Sequence, residues 1–154
     1  MEMTTILRAG AVRTVGASSS KKRLFQELGE LAASVYELDA GIVSNTLQER
    51  ENLGPTGVGQ GIALPHARLS TLGNVVGMFI RLDKPIDFEA VDRQPVDLIF
   101  ALLAPQDAGV EHLKALALVS RTMRDGDLCT KLRANTNPAT LHTLLTEAPK
   151  HQAA

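Results

Sequence analysis

The sequence predicts an α/β domain in which a central β-sheet is flanked by helices, and three observations carry the prediction. Residues 74–82 (NVVGMFIRL) are rich in Val, Ile and Phe, and residues 96–104 (VDLIFALLA) form the near-continuous apolar run of a strand buried on both faces. The segments after Ser20 and after Asp39 instead repeat their apolar positions at helical spacing. Strand-like and helix-like segments interleave along 154 residues with no internal repeat, low-complexity block or linker, so one sheet with helices packed on it is expected.

Taken in order, residues 11–17 (AVRTVGA) suggest a first strand. Ser18-Ser19-Ser20 then offers N-cap oxygens to a helix on which Leu24, Leu28, Leu31 and Val35 share one face, with Phe25 and Ala32 beside them. Lys21-Lys22-Arg23, the one basic cluster, reads as a solvated helix end. Asp39 is the expected N-cap of a second helix running to about Asn52, with Gly54 as its stop. On it Val43, Leu47 and Arg50 fall on one face, at spacings of four and three, so Arg50 points toward the body of the domain. After the 74–82 strand, Lys84-Pro85-Ile86-Asp87 predicts a turn, and Pro95 opens the apolar strand. Asp107 and Gly109 introduce a helix to about Arg124, with Val110, Leu113, Leu116 or Ala117, and Val119 or Ser120 facing inward. Two shorter helices are expected at roughly 126–134 and 138–147, the last opened by Asn137 as N-cap and Pro138 as first helical residue. The tail, APKHQAA (148–154), is expected to fray.

Composition excludes several classes of function. Lys plus Arg number 16 and Asp plus Glu 17, for a net charge of −1, which argues against a nucleic-acid or anionic-membrane surface as the main partner. The longest apolar run is too short to span a bilayer, and the N-terminus (MEMTTILRAG) has no signal-peptide core. A single cysteine, Cys129, rules out an internal disulfide and fits a reducing compartment, so a cytoplasmic location is expected. Cys129 itself reads as a small core hydrophobe.

The chemistry concentrates in GPTGVGQGIALPHARL (54–69). Gly54 and Gly59 have the first spacing of a nucleotide P-loop, but Gln60-Gly61 stand where Lys and Ser or Thr are required. The dinucleotide fingerprint fails as well, since Ile62 and Leu64 occupy the places of its last glycine. The four histidines, His66, His112, His142 and His151, show no metal-ligand spacing, and no serine-hydrolase elbow is present. No metal or cofactor is expected; His142 and His151 read as surface or helix-end residues. What remains is a short strand, Ile62-Ala63-Leu64, that ends at Pro65-His66. Proline fixes its own φ and restricts the residue before it, so the following ring is aimed rather than free. A neutral imidazole is a competent nucleophile near pH 7, and its two nitrogens can divide donating and attacking between them. On these residues alone His66 is either a structural histidine or one presented to a reactant.

Thr56-Gly57-Val58-Gly59-Gln60-Gly61-Ile62-Ala63-Leu64-Pro65-His66 resembles the phosphorylation motif of the IIA components of the bacterial phosphotransferase system, fructose/mannitol class. PIDFEAVDRQPVDLIFALLAP (85–105) and EHLKALALV (111–119) agree with the same family, and the first is most like its nitrogen-regulatory branch. The resemblance covers about residues 5–147 of a single 1–154 domain and implies the family's mixed sheet. It implies that His66 carries a phosphoryl group on Nε2, received from a small histidine-phosphorylated (HPr/NPr-type) carrier protein. His112 matches the family's second active-site histidine and Arg50 its active-site arginine. An arginine fork suits two anionic oxygens, and the first turn of a helix suits an anion beside His112. Thr56 and the backbone amides of Gly57, Gly59 and Gly61 are candidate further donors, and Arg68 a candidate contact to phosphate or to a partner's acidic rim. Two departures stand out: Ala67 where some relatives have glycine, and Gln60 where similar ones often have Asn.

The expected function is thus a phosphohistidine carrier of nitrogen-regulatory type, with regulatory protein targets that distinguish its two states. The alternatives are a IIA subunit that passes phosphate to a sugar-specific IIB protein, and a binding module of the same fold that is never phosphorylated.

Overall fold

The helices open close to where the sequence places them, four of them behind a side-chain cap. In the computed structural model, which describes residues 1–152 and side chains through residue 147, Ser20 accepts from the Arg23 N–H at 3.1 Å and starts α2 (Lys21–Tyr36). Asp39 accepts from the Ile42 N–H and starts α3 (Ala40–Asn52). Gly109 opens α4 (Val110–Met123), which follows the apolar strand. Asp125 caps α5 (Gly126–Arg133), and Asn137 accepts from the Ala139 and Thr140 N–H groups ahead of α6 (Pro138–Gln152). A short α1 (Met3–Ile6) and a 3-10 turn at Ala9–Ala11 precede β1 (Val12–Val15), and the sequence pattern signals neither. The side chains of Met3, Ile6 and Leu7 nonetheless enter the core.

The sheet is mixed and is organised around its most apolar strand. β6 (Val96–Pro105) pairs antiparallel with β5 (Val76–Ile86), which pairs parallel with β1. On the other side of β6 lie β3 (Ile62–Ala63) and β4 (His66–Leu69), both parallel to it, and β2 (Gly57–Gly59) closes the sheet antiparallel to β3. Every residue of β6 except Asp97 is buried. Phe79 and Phe100 meet edge to face across the β5–β6 pair, and Phe25 of α2 meets Phe88 in the same way. α2 and α3 pack closely enough that a Cβ on Gly29 would run into the Ala40 carbonyl.

Several expectations are corrected. The chain does not leave the sheet at His66. Ile62-Ala63 and His66–Leu69 are two pieces of one line along β6, interrupted at Leu64-Pro65, and the Leu102 N–H donates to the Pro65 carbonyl at 2.9 Å to splice the gap. The Lys84–Asp87 turn is absent: β5 runs through Pro85 to Ile86, and the register to β6 shifts between Arg81 and Ile86. Proline is tolerated at such an irregularity because no ladder N–H is needed there. The buried face of α4 is His112, Ala115, Leu118, Val119, Thr122 and Met123; Val110 and Leu113 are 63% and 65% exposed. Apolar residues stand on the exposed side of that helix and His112 and Thr122 on its buried side, so periodicity alone could not choose its face. Lys21 is not a solvated helix end, for its ammonium pairs with the buried Glu51 at 2.8 Å and lies 4.8 Å from the centre of the Phe88 ring. α6 continues to Gln152 through most of the segment expected to fray; Ala153, Ala154 and the side chain of His151 lie outside what is described. His142 is half-buried and donates to the Leu7 carbonyl.

Candidate functional site

Three elements converge on one cleft of about 380 Å3, lined by Thr46, Glu49, Arg50 and Leu53 of α3 and its end, His66, Ala67 and Arg68 of β4, and His112 of α4. The helical spacing of 46, 49, 50 and 53 puts those side chains on one face, which is why α3 supplies half the wall. The break at Pro65 decides the ring of His66. Its Nδ1 lies 3.0 Å from the Leu64 carbonyl oxygen, which can only accept, so Nδ1 carries the proton and Nε2 is the nitrogen with a free lone pair.

His112 meets that ring edge to face, with centroids 5.7 Å apart. It is 6% exposed, and its Nε2 has no hydrogen-bond partner among the described residues. Burial, with smaller contributions from His66 and Arg68, holds its pKa below the ordinary histidine value, which favours the neutral ring. Arg50 is half-buried and donates from Nη1 to the Gly54 carbonyl at 3.0 Å, which closes the end of α3 and holds the guanidinium at the cleft. Arg68 is exposed and donates to the Gln106 carbonyl.

The structure therefore brings His66, His112, Arg50 and Arg68 together. Thr56, Gly57, Gly59 and Gly61 are not part of the cleft lining. Thr56 is buried and gives both its hydroxyl (2.6 Å) and its N–H (2.9 Å) to Glu51. The glycines belong to the β2–β3 hairpin, where Gln60-Gly61 both have positive φ (58° and 80°) and form the two-residue turn. Loop 87–95 and α5 hold that hairpin: the Gln60 N–H donates to Asp92, Arg133 donates to the Gln60 carbonyl, and the Val91 N–H to the Gly57 carbonyl. A Cβ at Gly61 would lie 2.9 Å from the Asp97 carboxylate. Sequence reasoning missed Glu51, since nothing local marks a carboxylate for burial. It also passed over Thr46, Glu49 and Leu53, which the helical face of Arg50 could have indicated.

Among the described residues no three His, Cys, Asp or Glu side chains are placed to hold a metal, and no helix is long and apolar enough to cross a membrane. Cys129 is buried, with its thiol directed at the Met123 carbonyl and its pKa pushed up by burial.

At this cleft a histidine with one nitrogen tied back and the other free stands beside an arginine and a second histidine, on a mixed sheet flanked by helices. The chain belongs to the family described as phosphoenolpyruvate-dependent sugar phosphotransferase system, EIIA 2, whose sequence model matches residues 5–148. Within it, the chain is similar to the nitrogen regulatory branch. It is 44% identical over 149 residues to the nitrogen regulatory protein of Bradyrhizobium diazoefficiens, covering 97% of each chain. The crystal structure of nitrogen regulatory protein IIA-Ntr from Neisseria meningitidis superposes with a TM-score of 0.85 at 36% identity, over 94% of this chain and 99% of that one. Mannitol IIA from Escherichia coli shares the fold, with a TM-score of 0.74 at 19% identity over 90% and 97% of the two chains.

Proposed function

We propose that this chain is a phosphohistidine carrier, which accepts a phosphoryl group on Nε2 of His66 from a histidine-phosphorylated carrier protein of HPr/NPr type and signals to protein partners through its phosphorylation state. The single observation that carries the reading is the Nδ1 hydrogen bond to the Leu64 carbonyl, because it presents the Nε2 lone pair as the nucleophile. In the transfer the lone pair of Nε2 forms the new N–P bond as the donor's N–P bond breaks, and the bonding pair returns to the donor imidazole. The positive charge that develops on the His66 ring is stabilised where Nδ1–H meets the carbonyl dipole. Such a transfer needs positioning and charge stabilisation rather than a strong base. Arg50 offers its fork to two of the phosphoryl oxygens. The unpartnered Nε2 of His112 takes a third as a donor once it holds a proton. Leu53, 85% exposed in the cleft lining, gives the donor protein an apolar contact.

Phosphorylation adds about −1.5 to −2 charges at neutral pH, against a net charge of −1 for the whole chain. That is a large local change at an exposed lip, and it supports a regulatory role in keeping with the name that its relatives carry. Incubation with phosphoenolpyruvate and the two upstream carrier proteins tests the reading. An acid-labile adduct on His66, absent from His66→Ala, is the expected result. No adduct in the wild type would leave a binding module, and recovery of the same partners by both forms in pull-downs would remove the signalling role.

A further inference from the structure

Glu51 is buried to 2% side-chain exposure, a costly place for a carboxylate, and takes no part in the cleft lining. It is fully engaged: Lys21 donates to Oε2 at 2.8 Å, the Thr56 N–H to Oε2 at 2.9 Å and the Thr56 hydroxyl to Oε1 at 2.6 Å. The chain of contacts does not end there. The Thr56 carbonyl accepts from the Leu64 N–H at 3.0 Å, and the Leu64 carbonyl accepts from Nδ1 of His66, also at 3.0 Å. A continuous line thus runs from Lys21 at the start of α2, through Glu51 and Thr56, to the ring of His66.

The line matters because of Pro65. In a regular strand the peptide that carries the Leu64 carbonyl would also carry an N–H to fix its plane against the neighbouring strand; a proline removes that donor. Leu64 must then be anchored from its own N–H, and Thr56 is what holds it. The Leu102 N–H on the Pro65 carbonyl anchors the other side.

We infer that Glu51 and Thr56 are positioning residues for His66, which act through Leu64 to fix the ring's orientation and keep its proton on Nδ1. Neither touches the reacting atoms, and the effect on transfer rests on the function proposed above. The relay explains why the threonine that opens the glycine-rich stretch turns its donors inward. It also gives a reason for an ion pair inside the domain next to Arg50: consecutive positions on α3, 50 and 51, set the guanidinium and the far end of the relay.

The test compares Thr56→Val, Thr56→Ser and the charge-neutral pair Lys21→Met/Glu51→Gln, which leaves no buried ammonium unpaired and guards against simple unfolding. Nitrogen-15 spectra of the His66 ring read the tautomer with no phosphoryl donor present. Transfer from a phosphorylated histidine carrier protein is then timed in the same samples. Thr56→Val and the double variant are expected to shift His66 from the Nδ1–H toward the Nε2–H form and to lower kcat about tenfold with KM little changed, since small misplacements of a reacting group carry such penalties. Thr56→Ser, which keeps the hydroxyl, retains the wild-type tautomer and rate. Wild-type tautomer and rate in Thr56→Val and the double variant would overturn the inference, as would a slower rate with an unshifted tautomer. A wild type that shows the tautomer pattern but takes up no phosphate would uphold the relay and overturn the functional reading instead.

Discussion

The imidazoles of His66 and His112 stand edge to face, with their planes inclined by 67°. The two rings line one cleft but are not equivalent, since His66 is half-buried and tied through Nδ1 to a main-chain carbonyl, whereas His112 is buried and its Nε2 has no hydrogen-bond partner among the described residues. That inequality assigns them different tasks and leads to the first prediction.

Burial lowers the pKa of His112 below that of the unfolded chain. The unfolded state therefore binds the proton more readily, and stability rises with pH between the folded and the unfolded value. The contribution is present above about pH 6.5, the unperturbed histidine pKa, and fades as the pH falls through that window. Urea midpoints at pH 7.5 and 5.5 should show a larger acid loss in the wild type than in His112→Gln. Equal losses would mean that His112 titrates as if it were free.

Substitution of His66 separates chemistry from fold. The ring is half-buried on a four-residue strand, and its neighbours Ala67 and Leu69 hold the sheet. His66→Ala should abolish labelling and keep a cooperative thermal transition close to that of the wild type. In the labelled wild type, the phosphoryl dianion should raise the His112 pKa, because a nearby negative charge favours the imidazolium. An NMR titration of His112 that does not change on labelling would place that ring out of reach of the phosphate.

Arg50 is the strongest test of the cleft. Arg50→Ala should slow transfer to His66 by about 10²-fold, the usual scale for loss of a charge-stabilising donor. Its bond to the Gly54 carbonyl adds a structural cost of about 1 kcal/mol. Arg50→Lys should recover the stability better than the rate, since an ammonium cannot grip two oxygens in one plane. Single-turnover kinetics beside urea titrations tell the two apart, and an unchanged transfer rate in Arg50→Ala would take the arginine out of the site.

Core truncation behaves differently. Leu98 and Phe100 are fully buried on the central strand, and the Phe100 ring packs so tightly that a Cβ on Gly77 would come within 2.8 Å of it. Leu98→Ala or Phe100→Ala should cost about 2–5 kcal/mol. At temperatures where these variants stay folded, labelling of His66 should proceed at the wild-type rate.

The sequence was most legible where local rules act alone. Ser20, Asp39 and Asn137 cap the helices assigned to them, and the apolar face of α2 is the buried one. The run at 96–104 is the central strand because only a strand covered on both faces needs so unbroken an apolar stretch. Legibility fails where tertiary partners decide. β4 alternates half-buried His66 and exposed Arg68 with buried Ala67 and Leu69, a pattern too short to register as a strand without β6 beside it. The inner face of α4 includes His112 and Thr122, which a search for apolar periodicity passes over. Helical spacing turned Arg50 inward correctly, yet the same reasoning gave no sign of Glu51, whose burial depends on Lys21, thirty positions away.

The glycine hairpin offers a prediction with the opposite sign. Gln60 holds a left-handed conformation (φ 58°) in the two-residue turn before Gly61, and its side chain is exposed. Left-handed backbone is several-fold enriched in Asn over other non-glycine residues, which corresponds to about 0.5–1 kcal/mol. Gln60→Asn should therefore stabilise the domain by that amount, raising the urea midpoint with no change in slope. The main-chain bonds from Gln60 to Asp92 and Arg133 survive the change, because neither uses the side chain. Gly61→Ala should do the reverse, since φ 80° strains any Cβ and the added methyl meets Asp97 and Arg133. A lower midpoint for Gln60→Asn would show that the turn is set by its tertiary bonds rather than by the preference of residue 60.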